Sequence, residues 1–300
     1  MPQSAVMRNS TTSSIFSIAD KAADFPELLR SIPDPPKELF VLGKRETLHD
    51  LLQRPRVAVV GSRKLSSYGR AITLQLAGEL ARAGVVIVSG LAIGVDAVAH
   101  RAALEAGGLT LAILAGGLDH IHPSNNQRLA EQIIEQGGVL LSEYPIGIPS
   151  YPQQFIARNR IVSGISHAVL ITEAAQKSGT LHTARFALEQ GRDVLAVPGN
   201  ITSPGSVGVN NLIKTGAVPV TCTQDVLHAL GVKSHVRKKI VKGATPEEQT
   251  ILDLLASGES DGERLQQLSE LNIQIFNQHI TMLEITGKIR SLGANTWALT

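Results

Sequence analysis

Three hundred residues, 43% hydrophobic and 18% charged, make a chain long enough for a full α/β core and one small extra domain. The single Cys222 excludes an intrachain disulfide framework and any cysteine-rich zinc cluster and fits a reducing cytosol; no run of about 18 apolar residues is present to cross a membrane. Charge is divided unevenly: residues 1–232 hold 20 Lys or Arg against 18 Asp or Glu, residues 233–243 hold five basic and no acidic residues, and residues 244–300 hold three basic against eight acidic. A change of sign at a linker predicts two units with different partners.

In chain order, the polar residues 1–24 lack the apolar core of a secretory signal and read as a disordered tail. Residues 25–52, FPELLRSIPDPPKELFVLGKRETLHDLL, are Pro-broken and read as short helices packed on the first strand. From Arg56 onward the β-branched runs RVAVVG, VVIVSG, LTLAILAGG, GVLLSE, HAVLITE and DVLAVPG alternate with helical patterns, with a short seventh strand at AVPVT. This order predicts an α/β unit over residues 25–232, a mostly parallel sheet with helices on both faces. Ligand crevices of such sheets lie outside the carboxyl ends of the strands. There Gly61-Ser62-Arg63, Ser89-Gly90, Gly116-Gly117, Ser142-Glu143, Glu173 and Pro198-Gly199 should converge. After the basic linker 233–243, Thr245-Pro246-Glu247-Glu248 is a capping box opening a helix to about Ala256. Helical stretches near Gly262–Leu271 and Ile273–Thr286 and a hairpin turning at Gly293-Ala294-Asn295 complete a small winged-helix domain over 244–300.

The first strand runs into VVGSRKLSSYG, which lacks the second glycine that a dinucleotide fingerprint needs for close approach to a pyrophosphate. G-x-x-x-x-G-K-[ST] and G-x-S-x-G are absent too, so no catalytic residue and no cofactor is assigned. What the strand ends offer is a Gly/Ser-rich rim whose N–H and hydroxyl groups, with helix N-termini, suit phosphate, although small residues there also serve tight turns. Arg63 is a candidate phosphate contact. Arg158 and Arg160 project roughly 200° apart on one helix, so one should reach the crevice and the other brace the fold against Glu173 or another carboxylate. Glu143 and Glu173 read either as an acid/base pair or as carboxylates that cap loops and balance arginines. His120 and His122 have no third ligand at a metal spacing, so no metal is expected. The few aromatic residues near the strand mouths are Tyr68, Tyr144, Tyr151 and Phe155.

Seven blocks in order, VAVVGSRKLSSYG, SGLAIGVDAVAHRAAL, AGGLDHIHPSNN, LLSEYPIG, FIARNRIVSGIS, EAAQKSGTLHTA and AVPGNITSPGSVGVNNLIKTGA, resemble the DNA-processing protein A (DprA/Smf) family over roughly residues 25–230. The resemblance implies an extended Rossmann-like fold and a cytoplasmic, dimeric protein that is not an enzyme. It further implies binding of single-stranded DNA without sequence preference, protection of incoming DNA, and loading of the recombinase RecA during natural transformation. It places DNA contacts on Gly61, Ser62 and Arg63, on Arg158, Asn159 and Arg160, and on Ser178, Gly179 and Thr180, to which the strand ends at the crevice add Ser89 and Gly90. The chain departs at Ile93 and Ser124, where the family pattern is basic, and carries little of the family's N-terminal helical domain. The competing reading is a nucleotide-processing enzyme like the phosphoribohydrolases, whose Pro-Gly-Gly-x-Gly-Thr turn is not matched by Lys177-Ser178-Gly179-Thr180.

Overall fold

The computed structural model describes residues 15–232, 242–293 and 295–299, and the chain falls into two compact units divided after Ser234. The first unit runs β1 (Ile15–Ala19), α1 (Glu27–Arg30), β2 (Glu38–Leu42), α2 (Arg45–Gln53), β3 (Arg56–Val60), α3 (Ser67–Arg82), β4 (Val86–Ser89), α4 (Val95–Glu105) and β5 (Thr110–Ile113). It continues with α5 (Gln127–Glu135), β6 (Val139–Ser142), α6 (Pro152–Gly164), β7 (Ala168–Ile171), α7 (Thr180–Glu189), β8 (Asp193–Ala196), α8 (Val207–Lys214), β9 (Val218–Pro219) and α9 (Thr223–Ala229). All seven strands expected from Arg56 onward form, in the order β1-β2-β6-β5-β4-β3-β7-β8-β9. The pairs from β6 through β9 are parallel, whereas β1–β2 and β2–β6 are antiparallel.

Alternation within the strands explains why helices cover both faces. Ala58, Val60, Val88, Ile113, Leu141, Val169 and Ile171 pack on one side with residues of α1, α2, α6, α7 and α8. Their sequence neighbours Val57, Val59, Ile87, Ala168 and Leu170 pack on the other with α3, α4 and α9, and α5 covers Ala112 and Leu140 beside them. Near-continuous apolar strands are what a sheet buried on both faces requires.

Two expectations need correction. Residues 15–24 are not tail: β1 pairs with β2 in register Ile15↔Leu42 to Ala19↔Glu38, and Ile18 and Phe25 are buried. The segment 25–52 is not helical throughout, because β2 joins the sheet beside β6 with Val41 opposite Leu141. The four-residue apolar run Leu39–Leu42 cannot be told from a turn of buried helix by period alone. Its partner strand lies about a hundred residues on, at β6, out of reach of local pattern. Residues 1–14 of the expected tail and 233–241 of the basic linker lie outside the described residues.

The second unit comprises α10 (Pro246–Ala256), α11 (Gly262–Ser269), α12 (Ile273–Ile285), β10 (Ile289–Gly293) and β11 (Thr296–Leu299), the expected order of three helices and a hairpin. Thr245, Asp261 and Asn272 cap the three helices by accepting from Glu248, Arg264 and Ile275 N–H. Ile251, Leu252, Leu265, Phe276, Ile280, Leu283 and Ile289 form its separate core.

Candidate functional site

Strand β3 has β4 on one side and β7 on the other, and the helices that follow β3 and β7 leave to opposite faces of the sheet. At this reversal of strand order the loops diverge and a crevice opens outside the carboxyl ends. A cleft of about 620 Å³ lies there. Its walls include Gly61, Ser62, Arg63 and Lys64 after β3, Asp96 on α4, Phe155, Arg158 and Asn159 on α6, Lys177 to Thr180 before α7, and Pro204 and Gly205 after β8.

The geometry brings together Gly61, Ser62, Arg63, Arg158, Asn159, Ser178, Gly179 and Thr180. Ser89, Gly90 and Arg160 do not line the cleft. Ser89 is buried and donates to Val59 O (2.7 Å). Gly90 acts by what it lacks: a Cβ there would fall on the Arg158 guanidinium, so only glycine lets that side chain cross the end of the sheet. Sequence reasoning did not single out Lys64, Lys177 or Asp96. Each sits within three residues of a motif glycine, a signal that motif matching alone ignores.

Arg158 is buried, donates from Nη1 to Ile113 O (2.6 Å), and has Nε without a partner. Burial pushes its guanidinium down to about 10, a shift that the Asp96 carboxylate opposes and Arg63 reinforces. It therefore stays charged at neutral pH. Asp96 accepts from Gly90 N–H (3.1 Å) and Ala92 N–H (3.4 Å), and burial raises its pKa against the pull of Arg158. One turn along α4, His100 Nδ1 lies 2.6 Å from Thr110 Oγ1, whose hydroxyl donates to Ile87 O. Burial, aided by Arg158, pushes His100 down to about 3, so it is neutral.

Of the two arginines of the RNR segment, Arg160 is the brace. It forms a bidentate pair with Glu143 (2.7 Å to each oxygen) and a further pair with Asp34 (2.8 Å). Glu173 is not its partner. The acid/base reading of Glu143 and Glu173 also fails, since Glu143 is held by Arg160, Glu173 is held by Ser66, and neither lines the cleft.

Among the described residues, the cleft's exposed cations without an ion pair are Arg63, Lys64 and Lys177. Arg63 lies over the Phe155 ring (5.5 Å to the centroid), and His122 meets that ring edge-on at 5.5 Å. At the start of α7, Gly179 is exposed with no atom near the position of a Cβ, so that turn is open to solvent, although Ser178 already accepts from Thr180 N–H at Oγ (3.3 Å) and from Leu181 N–H at its carbonyl (3.1 Å). Ile93 is exposed in the loop before α4, and Ser124 begins a short 3₁₀ turn after Pro123. In the second unit α12 bears no Lys or Arg and one acidic residue, Glu284. Among the described residues no cluster of three or more His, Cys, Asp or Glu is placed to hold a metal, and no helix is long and apolar enough to cross a membrane.

Residues 16–231 match the family model of DNA recombination-mediator protein A. The chain is 47% identical over 211 residues to Protein Smf of Escherichia coli, an alignment covering 70% of this chain and 55% of that protein. It thus spans about half the length of that relative. Among solved structures, DNA processing protein A from Streptococcus pneumoniae superposes with a TM-score of 0.67 at 42% identity, covering 71% of this chain and 74% of that one. DNA processing protein A from Helicobacter pylori, whose structure is described for its single-stranded DNA binding mode, gives 0.64 at 32% identity, with 73% and 96% covered.

Proposed function

The chain belongs to the DNA recombination-mediator protein A family, and on that premise we propose that it binds single-stranded DNA along the cleft, without sequence preference and without catalysing a reaction on it. The observation that carries this reading is the charge arrangement. Among the described residues, Arg63, Lys64 and Lys177 line the cleft beside the open start of α7, while Asp96, the one carboxylate in the lining, is turned to the Gly90 and Ala92 amides and to Arg158. Such a groove offers several separate cations to a chain of phosphates and no acid to a scissile bond. Phosphate contacts position a strand but carry no base information. Phe155, held against Arg63, provides a face on which one base can stack, a contact worth about 1–3 kcal/mol in comparable proteins.

In this reading Gly61, Ser62 and Arg63 and the turn Ser178-Gly179-Thr180 touch phosphates directly. Arg158 with Asn159 shapes the floor, and Ser89, Gly90 and Arg160 support the site from beneath. Acting as a homodimer in the cytoplasm, the protein would protect incoming single strands and load the recombinase RecA on them during natural transformation. The acidic second unit, read as a winged helix, would serve a protein partner rather than duplex DNA. The direct test is fluorescence anisotropy with labelled oligo-dT and a duplex of equal length, followed by RecA filament formation on single strands with and without the protein. Preferential, salt-sensitive binding of the single strand and faster filament growth are expected. Equal affinity for duplex, or release of free base from nucleoside monophosphates, would overturn the reading.

A further inference from the structure

In Rossmann-like sheets the helix after the first parallel strand usually offers its N-terminus to a phosphate. Here that helix is α3, and its N-terminus is already occupied. Ser66, its N-cap, accepts from Gly69 N–H (3.0 Å) and donates from its hydroxyl to Glu173 Oε2 (2.5 Å). The Ser66 N–H also points at the same carboxylate, 3.2 and 3.3 Å from its two oxygens. Glu173 is 4% exposed, and among the described residues no cation lies within ion-pair distance of it.

The surroundings are shaped to this carboxylate. A Cβ on Gly69 would fall on Oε2, and one on Gly205, which lines the cleft, would stand 3.0 Å from Oε1. Two glycines therefore leave the room that the buried Glu173 fills between the helix end and the cleft wall. Ser66 itself is exposed, so the position would be reachable from solvent were the carboxylate removed.

We propose that Glu173 is a specificity determinant: its carboxylate is a resident anion that fills the phosphate seat of α3 and denies it to inorganic phosphates and free nucleotides. What remains for a ligand is the open start of α7 with Arg63, Lys64 and Lys177, spaced contacts that a polymer of phosphates satisfies and a single small anion does not. The proposal rests on the single-strand reading above for its purpose, but the seat can be tested without DNA.

Glu173→Ala and Glu173→Ser, in the full chain, empty the seat, and Glu173→Gln keeps it filled with a neutral group. Thermal unfolding with sodium pyrophosphate, against sodium chloride at equal ionic strength, reads occupancy. Saturable stabilisation of the Ala or Ser variant is expected, with apparent affinity at least about tenfold above wild type and little change for Gln. In a parallel titration, pyrophosphate should displace oligo-dT from the Ala or Ser variant more readily than from wild type. If neither emptied variant responds to pyrophosphate, whether it folds poorly or well, the proposal falls; so it does if wild type responds equally. Failure of wild type to bind oligo-dT, with the pyrophosphate response intact, sinks the single-strand reading and leaves the resident anion standing.

Discussion

Arg63 is the residue on which phosphate binding should depend most visibly, because it is exposed, lines the cleft and is oriented by Phe155. Arg63→Glu is expected to weaken oligo-dT binding at least about tenfold, about 1.4 kcal/mol, and to make its salt dependence shallower by about 0.7 in the log–log slope. Unchanged affinity in the folded variant would remove Arg63 from the site. The buried histidines give a pH signature. His100, at about 3 in the fold against about 6.5 unfolded, favours the neutral form on folding, and His167 is displaced in the same direction by burial and by Arg56. The stability they contribute is complete above about pH 6.5 and is lost as pH falls toward about 3, while the raised Asp96 acts in the opposite sense. Urea midpoints at about pH 7.5 and about pH 5 should therefore fall further for wild type than for His100→Gln, even though that variant starts lower. Equal losses would contradict a neutral His100.

At the scale of residues, sequence showed that Arg158 and Arg160 must part, since helical period alone separates two positions in this way. It could not show which would enter the cleft. That choice depends on the missing Cβ of Gly90 and on the carboxylate of Glu143, both brought to α6 from other parts of the chain by the fold.

Among the elements, α6 joins function to framework: one side carries Phe155, Arg158 and Asn159 into the cleft, and the other sends Arg160 to Glu143 and Asp34. Arg160→Met would leave the partly buried Glu143 without its cation, a loss expected to destabilise the first unit by about 1.5–3 kcal/mol. Chemical denaturation checks this, and a change under about 1 kcal/mol would mean that water or rearrangement replaces the pair. The parallel strands were legible because each is an apolar β-branched run followed by a turn and a helix. Strands β1 and β2 were not, because one begins in a Ser/Thr-rich stretch, the other is framed by Pro35-Pro36 and Gly43, and both acquire meaning only from pairing. The caps of α10 and α12 were readable in part: Thr245 announces itself through its capping box, whereas Asn272 carries no such pattern.

For the whole molecule, the comparisons cover the first unit and the charge asymmetry separates the second. A chain ending at Gly231 should keep the nine-stranded sheet and most of its affinity for single strands. One ending at Gly243 should add what the five basic residues of 233–243 contribute. Residues 244–300 alone, with eight acidic against three basic residues, should not hold duplex DNA at physiological salt. Duplex binding by that piece as tight as by the full chain would reverse the division between the units.

The central claim is that the cleft holds the phosphates of a single strand through a small number of separate cations. The measurement that meets it most directly is the affinity of the full chain for oligo-dT, and for a duplex of equal length, across a series of salt concentrations. With Arg63, Lys64 and Lys177 each neutralising one phosphate, the log–log slope for the single strand should be at least as steep as about −2, steeper by whatever the basic residues of 233–243 add, and the duplex should bind more weakly at every salt. A slope near zero, or a duplex bound as tightly as oligo-dT, would contradict the account.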